Sequence, residues 1–428
     1  MGPLSVLFSI ALASTTLASP ALHKRGTLHI ETTQIEAFAP HAPLTITENH
    51  LPLKRFSLPQ SRTLALCPNS TEGPATQELR NIQGAQYVAQ VQLNGQSTWL
   101  VFDTGSSDTW VVKSDFACFS QFGTLAPSQL CGFGPTFNGD FPPGDKLPDL
   151  DLRVNYGDGT YARGLFGFLN VTIAGLTVRH QQVALANASY WNGVGASSGL
   201  LGLAYPGLTS AFPTGSSTAT TYDPLFTTMW KQGLSAFMFT TSLVRNGTSY
   251  VSFGGLPPVI TDGKFASTPI TMTTFRNGDV KYGFYSITPD AFSYDGAAAS
   301  QPDMYIVDSG TTLTYINDAV VDAVAKQFNP PAIKEPSLGN LYTLACNAKA
   351  PDFGIKIGGR VLTMTPENIV LQLVDDTGAP LCVLGIQPAT LAGFGSGGMA
   401  GILGETFMNS LVVVHDVGAA QMRFSPRL

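Results

Sequence analysis

One pattern in this chain occurs twice. Val101-Phe102-Asp103-Thr104-Gly105-Ser106-Ser107-Asp108-Thr109-Trp110 is matched by Ile306-Val307-Asp308-Ser309-Gly310-Thr311-Thr312-Leu313-Thr314-Tyr315. Each reads as two apolar residues, Asp, Ser or Thr, Gly, two hydroxyl residues, a variable residue, Thr and an aromatic. The match continues downstream, where Leu200-Leu201-Gly202 and Ile402-Leu403-Gly404 follow their respective aspartates at nearly equal distances. Self-similarity of this kind marks an internal duplication. Two copies of one carboxylate-bearing loop point to a site formed where the two halves meet.

At 428 residues the chain is long enough for at least two lobes. Charged residues are only 12%, whereas glycine (44) and proline (29) are plentiful, which suits short strands joined by turns. A net charge of −6 argues against nucleic acid as a partner. Having few lysines and arginines has a further consequence. Once acid neutralises the carboxylates, little positive charge is left to repel itself, and the fold can tolerate low pH.

The N-terminus carries an apolar run from Leu4 to Ala13 followed by small residues around Ala18, the pattern of a secretory leader over residues 1–18. No later apolar stretch reaches the length of a membrane span, and the C-terminus carries no lipid-anchor signal. The expectation is a secreted, extracellular monomer without a membrane anchor. Sequons at Asn69, Asn170, Asn187 and Asn246 agree with export. Five cysteines in an exported chain imply two disulfides and one left over, and the near pairs Cys118/Cys131 and Cys346/Cys382 are the simplest arrangement. Metal ligation is the rival reading, a poor one without a Cys-x-x-Cys.

Residues 19–80 read as a pro-segment and lead-in, irregular in pattern, with dibasic pairs at Lys24-Arg25 and Lys54-Arg55 and with Cys67 as the odd thiol. The stretch holds four of the six histidines, so that its removal leaves only His180 and His415 and no His-rich metal site. From Gly84 the pattern becomes alternating. Gln86–Leu93, Asn94-Gly95 and Gln96–Phe102 form a hairpin that runs into the first Asp loop. Leu152–Tyr156 and Thr160–Phe166 form a second hairpin around Gly157-Asp158-Gly159. Strands are expected at Phe168–Ile173, Gln182–Ala186, Phe237–Leu243, Tyr250–Phe253, Leu411–His415 and Gln421–Phe424. Helices are expected over Pro224–Gln232, ended by Gly233, and over Asp318–Phe328. The fold class is all-β in two lobes, 81–255 with the first Asp loop and 256–428 with the second.

The loops carry a definite chemistry. A glycine after Asp lets backbone amides approach the carboxylate. The hydroxyls of Ser106 and Thr311 can donate to the carboxylates, and those of Thr104 and Ser309 can tie each loop to its neighbour. Two carboxyls held together cannot ionise independently, so one keeps its proton and the pair titrates as a unit. Such a pair offers one carboxylate to take a proton from water and one carboxyl to hydrogen-bond a carbonyl. Water then attacks the carbonyl without a covalent intermediate.

With these motifs, the chain from about Gly84 to Pro426 resembles a pepsin-family aspartic peptidase of the secreted fungal kind. The resemblance implies a bilobal pepsin-like acid protease fold, with two pseudo-symmetric barrel-like lobes and the active site between them. It implies an aspartic endopeptidase that hydrolyses extended polypeptides at acid pH, made as a pre-proprotein, with no cofactor and no metal. Asp103 and Asp308 would be catalytic. Tyr156-Gly157-Asp158-Gly159 matches the family's flap, and Trp110 the tryptophan that hydrogen-bonds the flap tyrosine. Gly105, Tyr156, Gly157, Asp158, Gly310, Thr311 and Thr312 would bind substrate, supported by Thr104, Ser106, Trp110 and Ser309. One disulfide per lobe is also implied. The family is itself the standard example of two carboxyls sharing a proton, so that this part of the reading comes with the resemblance. Asp158 has two readings, an acceptor for a substrate lysine or a plain turn residue between glycines. Ser309 and Glu405 depart from the commoner Thr and Asp, and Cys67 has no counterpart.

Two other motifs point elsewhere. Gly195-Ala-Ser197-Ser-Gly199 matches a serine nucleophile elbow with His415 as nominal partner, but it leads into a strand-like Leu200-Leu201-Gly202 rather than a helix. Gly395-Ser-Gly397-Gly-Met-Ala400 lacks the surrounding βαβ unit of a dinucleotide loop. A binding protein on the same scaffold is the rival from outside catalysis. Such a protein typically loses an Asp, its glycine or the flap, and all are present here.

Overall fold

The structure is a computed structural model that describes residues 44–54, 86–193, 195–275, 278–294, 297–299, 303–374, 380–394 and 399–428. The expected leader, Lys24-Arg25, Arg55, Cys67, Asn69 and residues 395–398 of the glycine-rich motif lie outside the described residues.

The first half is organised by the expected hairpin, Val88–Leu93 and Gln96–Asp103, paired in register from Val88↔Val101 to Leu93↔Gln96. Its turn residues Asn94 and Gly95 have φ of 47° and 86°, the conformation that makes Asn-Gly the preferred two-residue turn. Gln96–Asp103 runs parallel to Gly199–Gly202, which pairs with Thr109–Phe119. That strand lies beside Leu176–Tyr190, which pairs with Tyr161–Ile173, and Tyr161–Ile173 returns to Val88–Leu93. The ring therefore closes into a barrel, in which Phe102, Trp110 and Phe166 are buried. The strands expected at Phe168–Ile173 and Gln182–Ala186 are parts of these two longer strands. Gly167, which fell between the two expected strands Thr160–Phe166 and Phe168–Ile173, is a packing position within one strand. A Cβ on Gly167 would lie 2.5 Å from the Phe141 ring.

The second half repeats the scheme. Met304–Val307, which leads into the second Asp loop, runs parallel to Met399–Leu403, as Gln96–Asp103 does to Gly199–Gly202. Two four-stranded sheets, one of which carries Phe353–Ile357 and the other Pro380–Leu384, complete this half. Between the halves lies a six-stranded sheet in the order His50–Lys54, Thr248–Phe253, Phe239–Ser242, Leu411–Asp416, Gln421–Pro426, Ala266–Pro269. The strand His50–Lys54 differs from the irregular reading of its segment. It pairs with Thr248–Ser252, and a partner so distant in sequence leaves no local mark.

The helices lie where the caps place them. Leu225–Lys231 ends before Gly233 at φ 68°. Asp318–Ala325 is capped by the Asn317 side chain, which accepts from the Ala319 and Val320 N–H groups. It is shorter than the expected Asp318–Phe328, because the Gln327 N–H bonds back to the Val324 carbonyl and the Ala325 carbonyl accepts from Ala332 instead of from the next helical turn. Phe328 is buried all the same. Both expected disulfides are present, Cys118–Cys131 with Cα atoms 5.9 Å apart and Cys346–Cys382 at 5.2 Å.

Candidate active site

Each Asp loop is the exit of a parallel pair of strands, which brings Asp103 and Asp308 to the base of the groove between the halves. The loops are built alike. Gly105 N–H donates to Asp103 Oδ1 at 2.7 Å and Ser106 Oγ to Oδ2 at 2.5 Å. Gly310 N–H donates to Asp308 Oδ1 at 2.7 Å and Thr311 Oγ1 to Oδ2 at 2.6 Å. They are also locked together across the two halves. Thr104 N–H donates to Ser309 Oγ (3.1 Å) and Ser309 N–H to Thr104 Oγ1 (2.9 Å). The hydroxyls pass the bond on, Thr104 Oγ1 to the Val307 carbonyl (3.2 Å) and Ser309 Oγ to that of Phe102 (3.1 Å). Every donor in this ring has a fixed acceptor, as a buried polar network requires.

The two glycines show how closely the carboxylates meet. A Cβ on Gly105 would lie 2.5 Å from Asp308 Cγ, and one on Gly310 would collide with Asp103 Oδ1. Each glycine is therefore the space into which the other half's aspartate fits. Gly202 and Gly404 play the analogous part behind the loops, where a Cβ would strike the backbone of Ser107 and of Leu313.

Both carboxyls are buried, Asp103 at 1% exposure and Asp308 at 0%. Burial raises both above the ordinary carboxyl range. For Asp103 the negative charge of Asp308 adds to the rise. For Asp308 the hydroxyl of Thr311 and the N–H of Gly310 oppose it. Two like charges at this distance out of water favour one shared proton.

The hairpin of Lys146–Asn155 and Tyr161–Ile173 hangs over the pair. Tyr156 at its tip is buried, and its hydroxyl accepts from Trp110 Nε1 at 2.8 Å. Gly157 is exposed, and Asp158 is half-buried. Asp158 Oδ1 accepts from Thr160 N–H (2.9 Å) and Thr160 Oγ1 (2.7 Å), as a turn aspartate does. It also lines a pocket with Asp103, Tyr156, Trp191, Leu200 and Gly310. Burial raises Asp158 above the usual carboxylate range, with the Thr160 donors opposing. Thr312 is buried beside the second loop.

Sequence reasoning did not single out Trp191 or Asp108. Trp191 packs edge-on against Trp110 (5.3 Å) and Tyr156 (5.7 Å) and stacks on Phe133 (5.8 Å), which makes it a wall of the pocket. Asp108 is 1% exposed and accepts from Ser210 and Tyr222. Its position in the duplicated stretch is the variable one, the signal that could have drawn notice. The elbow motif fails as a nucleophile site. Ser197 is buried, and His415 is stacked 4.2 Å from Phe239 in the central sheet. Burial pulls His415 down to about 3, and it stays neutral there.

Residues 86–427 match the family model described as eukaryotic aspartyl protease. A probable aspartic-type endopeptidase of Aspergillus fumigatus is 34% identical over 98% of this chain and 97% of its own length. Penicillopepsin-1 of Talaromyces stipitatus is 26% identical, with 97% of each chain covered. In structure, the aspartic proteinase from Irpex lacteus superposes with a TM-score of 0.61 over 81% of this chain and 95% of its own, at 20% identity, a likeness of fold. A family match over most of the chain and a relative alike along its whole length agree with the duplicated loops, and this chain belongs to the eukaryotic aspartyl protease family as an aspartic-type endopeptidase of the pepsin kind.

Proposed function

We propose that this endopeptidase works at acid pH through Asp103 and Asp308, which together activate one water and polarise the scissile carbonyl. The observation that carries the reading is the interlock of the loops, in which each aspartate occupies the space left by the other half's glycine. One carboxyl of the pair is ionised and takes a proton from water, and the other is protonated and donates to the carbonyl oxygen. As water adds, the tetrahedral centre forms without a bond to the protein. Proton return to the amine nitrogen then releases the two peptide products.

Substrate is an extended polypeptide whose main chain pairs with the hairpin edge. Tyr156, held by Trp110, closes over it. Gly105, Gly157, Gly310, Thr311 and Thr312 line its path, and Thr104, Ser106 and Ser309 hold the carboxylates. Asp158 is read as a substrate contact, supported by its place beside Asp103 and Gly310 in one pocket. The protein is read as a monomer secreted through residues 1–18, with processing within residues 19–80 ahead of lobes 81–255 and 256–428. Three sequon asparagines, Asn170, Asn187 and Asn246, are exposed, which favours that route. No helix among the described residues is long and apolar enough to cross a membrane.

The test is hydrolysis of acid-denatured haemoglobin between pH 3 and 7 with and without pepstatin. Acid turnover blocked by pepstatin is expected. Absence of turnover after confirmed removal of the pro-segment would favour a binding protein on this scaffold.

A further inference from the structure

Three consecutive side chains leave the first Asp loop in different directions. Ser106 Oγ holds Asp103 Oδ2. Ser107 Oγ donates to the Tyr205 carbonyl at 2.6 Å. Asp108, fully enclosed, takes the Ser210 N–H on Oδ1 (3.1 Å) and Oδ2 (3.0 Å) and the Tyr222 hydroxyl on Oδ1 (2.8 Å). Its own carbonyl accepts from Gly202 N–H at 3.1 Å. The loop is thus fastened at Asp108 to the 202–222 segment on one side, while it holds Asp103 on the other.

We propose that Asp108 is a positioning residue that holds the first Asp loop through Ser210 and Tyr222, and that the held loop has its full stability only in acid, where this enclosed carboxyl is neutral. The proposal rests on the two-aspartate reading above. The duplicated loop has Leu313 at the same place, so the fold does not require a carboxyl there. Of the titratable groups that face Asp108, Tyr222 is in hydrogen bond and Tyr156 of the hairpin bears on it through charge. Asp103 is on the same loop. Among the described residues no salt bridge supplies Asp108 with a cation. The Ser210 and Tyr222 donors by themselves favour the anion, but burial without a cation outweighs them, and the neutral carboxyl places no charge out of water. The anion keeps them at the cost of a buried, unneutralised charge. Burial accordingly moves its titration from 3.8 to about 6, with the Ser210 and Tyr222 donors opposing the rise. Raised in the folded state, this group stabilises fully below 3.8, and the contribution is lost as pH rises through about 6.

The experiment compares the activated wild type, Asp108→Asn and Tyr222→Phe. It reads kcat and KM on one peptide substrate, and the thermal midpoint, from pH 3 to 8. In Asp108→Asn the amide keeps an acceptor but cannot ionise. The upper limb of its kcat profile should move about one pH unit toward neutral, and its midpoint should exceed the wild type's at pH 7 but not at pH 4. Tyr222→Phe should lower kcat about tenfold with KM within about twofold. A profile for Asp108→Asn that superimposes on that of an active, pepstatin-sensitive wild type would overturn the proposal. If Asp108→Asn does not fold, an unaltered kcat in Tyr222→Phe overturns it instead. If the wild type itself has no turnover, the two-aspartate reading has failed. The midpoints then decide the tether, and equal pH dependence in wild type and Asp108→Asn counts against it.

Discussion

The two Asp loops share a plan and differ in what backs it. Around the carboxylates they are interchangeable, with Gly105 and Gly310, Ser106 and Thr311, and Thr104 and Ser309 in equivalent bonds. Beyond that ring they diverge. Trp110 gives its indole N–H to Tyr156 of the overhanging hairpin, whereas its counterpart Tyr315 has a buried hydroxyl without a partner among the described residues. Asp108 is fastened to Ser210 and Tyr222, whereas its counterpart Leu313 packs with Tyr315, Leu341, Leu371 and Val383. The duplication therefore kept the ring around the two carboxyls symmetric and placed the hairpin anchor and the buried Asp108 on one side only.

The largest expected effect tests the symmetric part. Gly105→Ala and Gly310→Ala each push a methyl group into the opposite carboxylate. Each should cost roughly 10²–10³-fold in kcat while leaving the fold intact. A loss in one variant only, read by steady-state kinetics at pH 4, would break the equivalence of the loops. The next effect belongs to Asp108. Moving its titration from 3.8 to about 6 makes the buried carboxyl cost about 3 kcal/mol at neutral pH and nothing below pH 4. Chemical denaturation of Asp108→Asn at pH 4 and pH 7.5 should show a gain of that order at the higher pH alone.

A smaller contrast separates the aromatic pair. Trp110→Phe removes a buried hydrogen bond to the hairpin and should lower kcat/KM about tenfold. Tyr315→Phe removes a hydroxyl that has no partner among the described residues and should leave kcat/KM within about twofold. Equal losses would mean that the hairpin bond contributes nothing specific. The smallest difference lies between the disulfides. Their sequence separations of 13 and 36 correspond to about 3 and 4 kcal/mol of unfolded-chain constraint. Thermal melts of the two Cys-to-Ala pairs should therefore place loss of Cys346–Cys382 as the costlier by about 1 kcal/mol.

Much of this was legible in the sequence, for local reasons. Asn94-Gly95 dictates a tight turn, and the paired motifs dictate two like loops. The near cysteine pairs match the disulfides formed. What escaped notice depends on distant partners. His50–Lys54 is a strand because Thr248–Ser252 is there to pair with it. Gly167 fell between two expected strands, but it admits the Phe141 ring within one continuous strand. Asp108 looked like any loop aspartate, since a side chain's burial and its bonds to Ser210 and Tyr222 are set by tertiary packing.

The central claim is that two aspartates from separate halves act as one group. Its most direct test is the pH profile of kcat/KM for Asp103→Asn and Asp308→Asn beside the wild type, with each variant's fold checked by its thermal midpoint. Each single substitution should reduce acid hydrolysis by roughly 10³-fold or more, and the double variant should lose little further. If either folded variant kept more than about a tenth of wild-type turnover, the shared-proton pair could not be the catalyst.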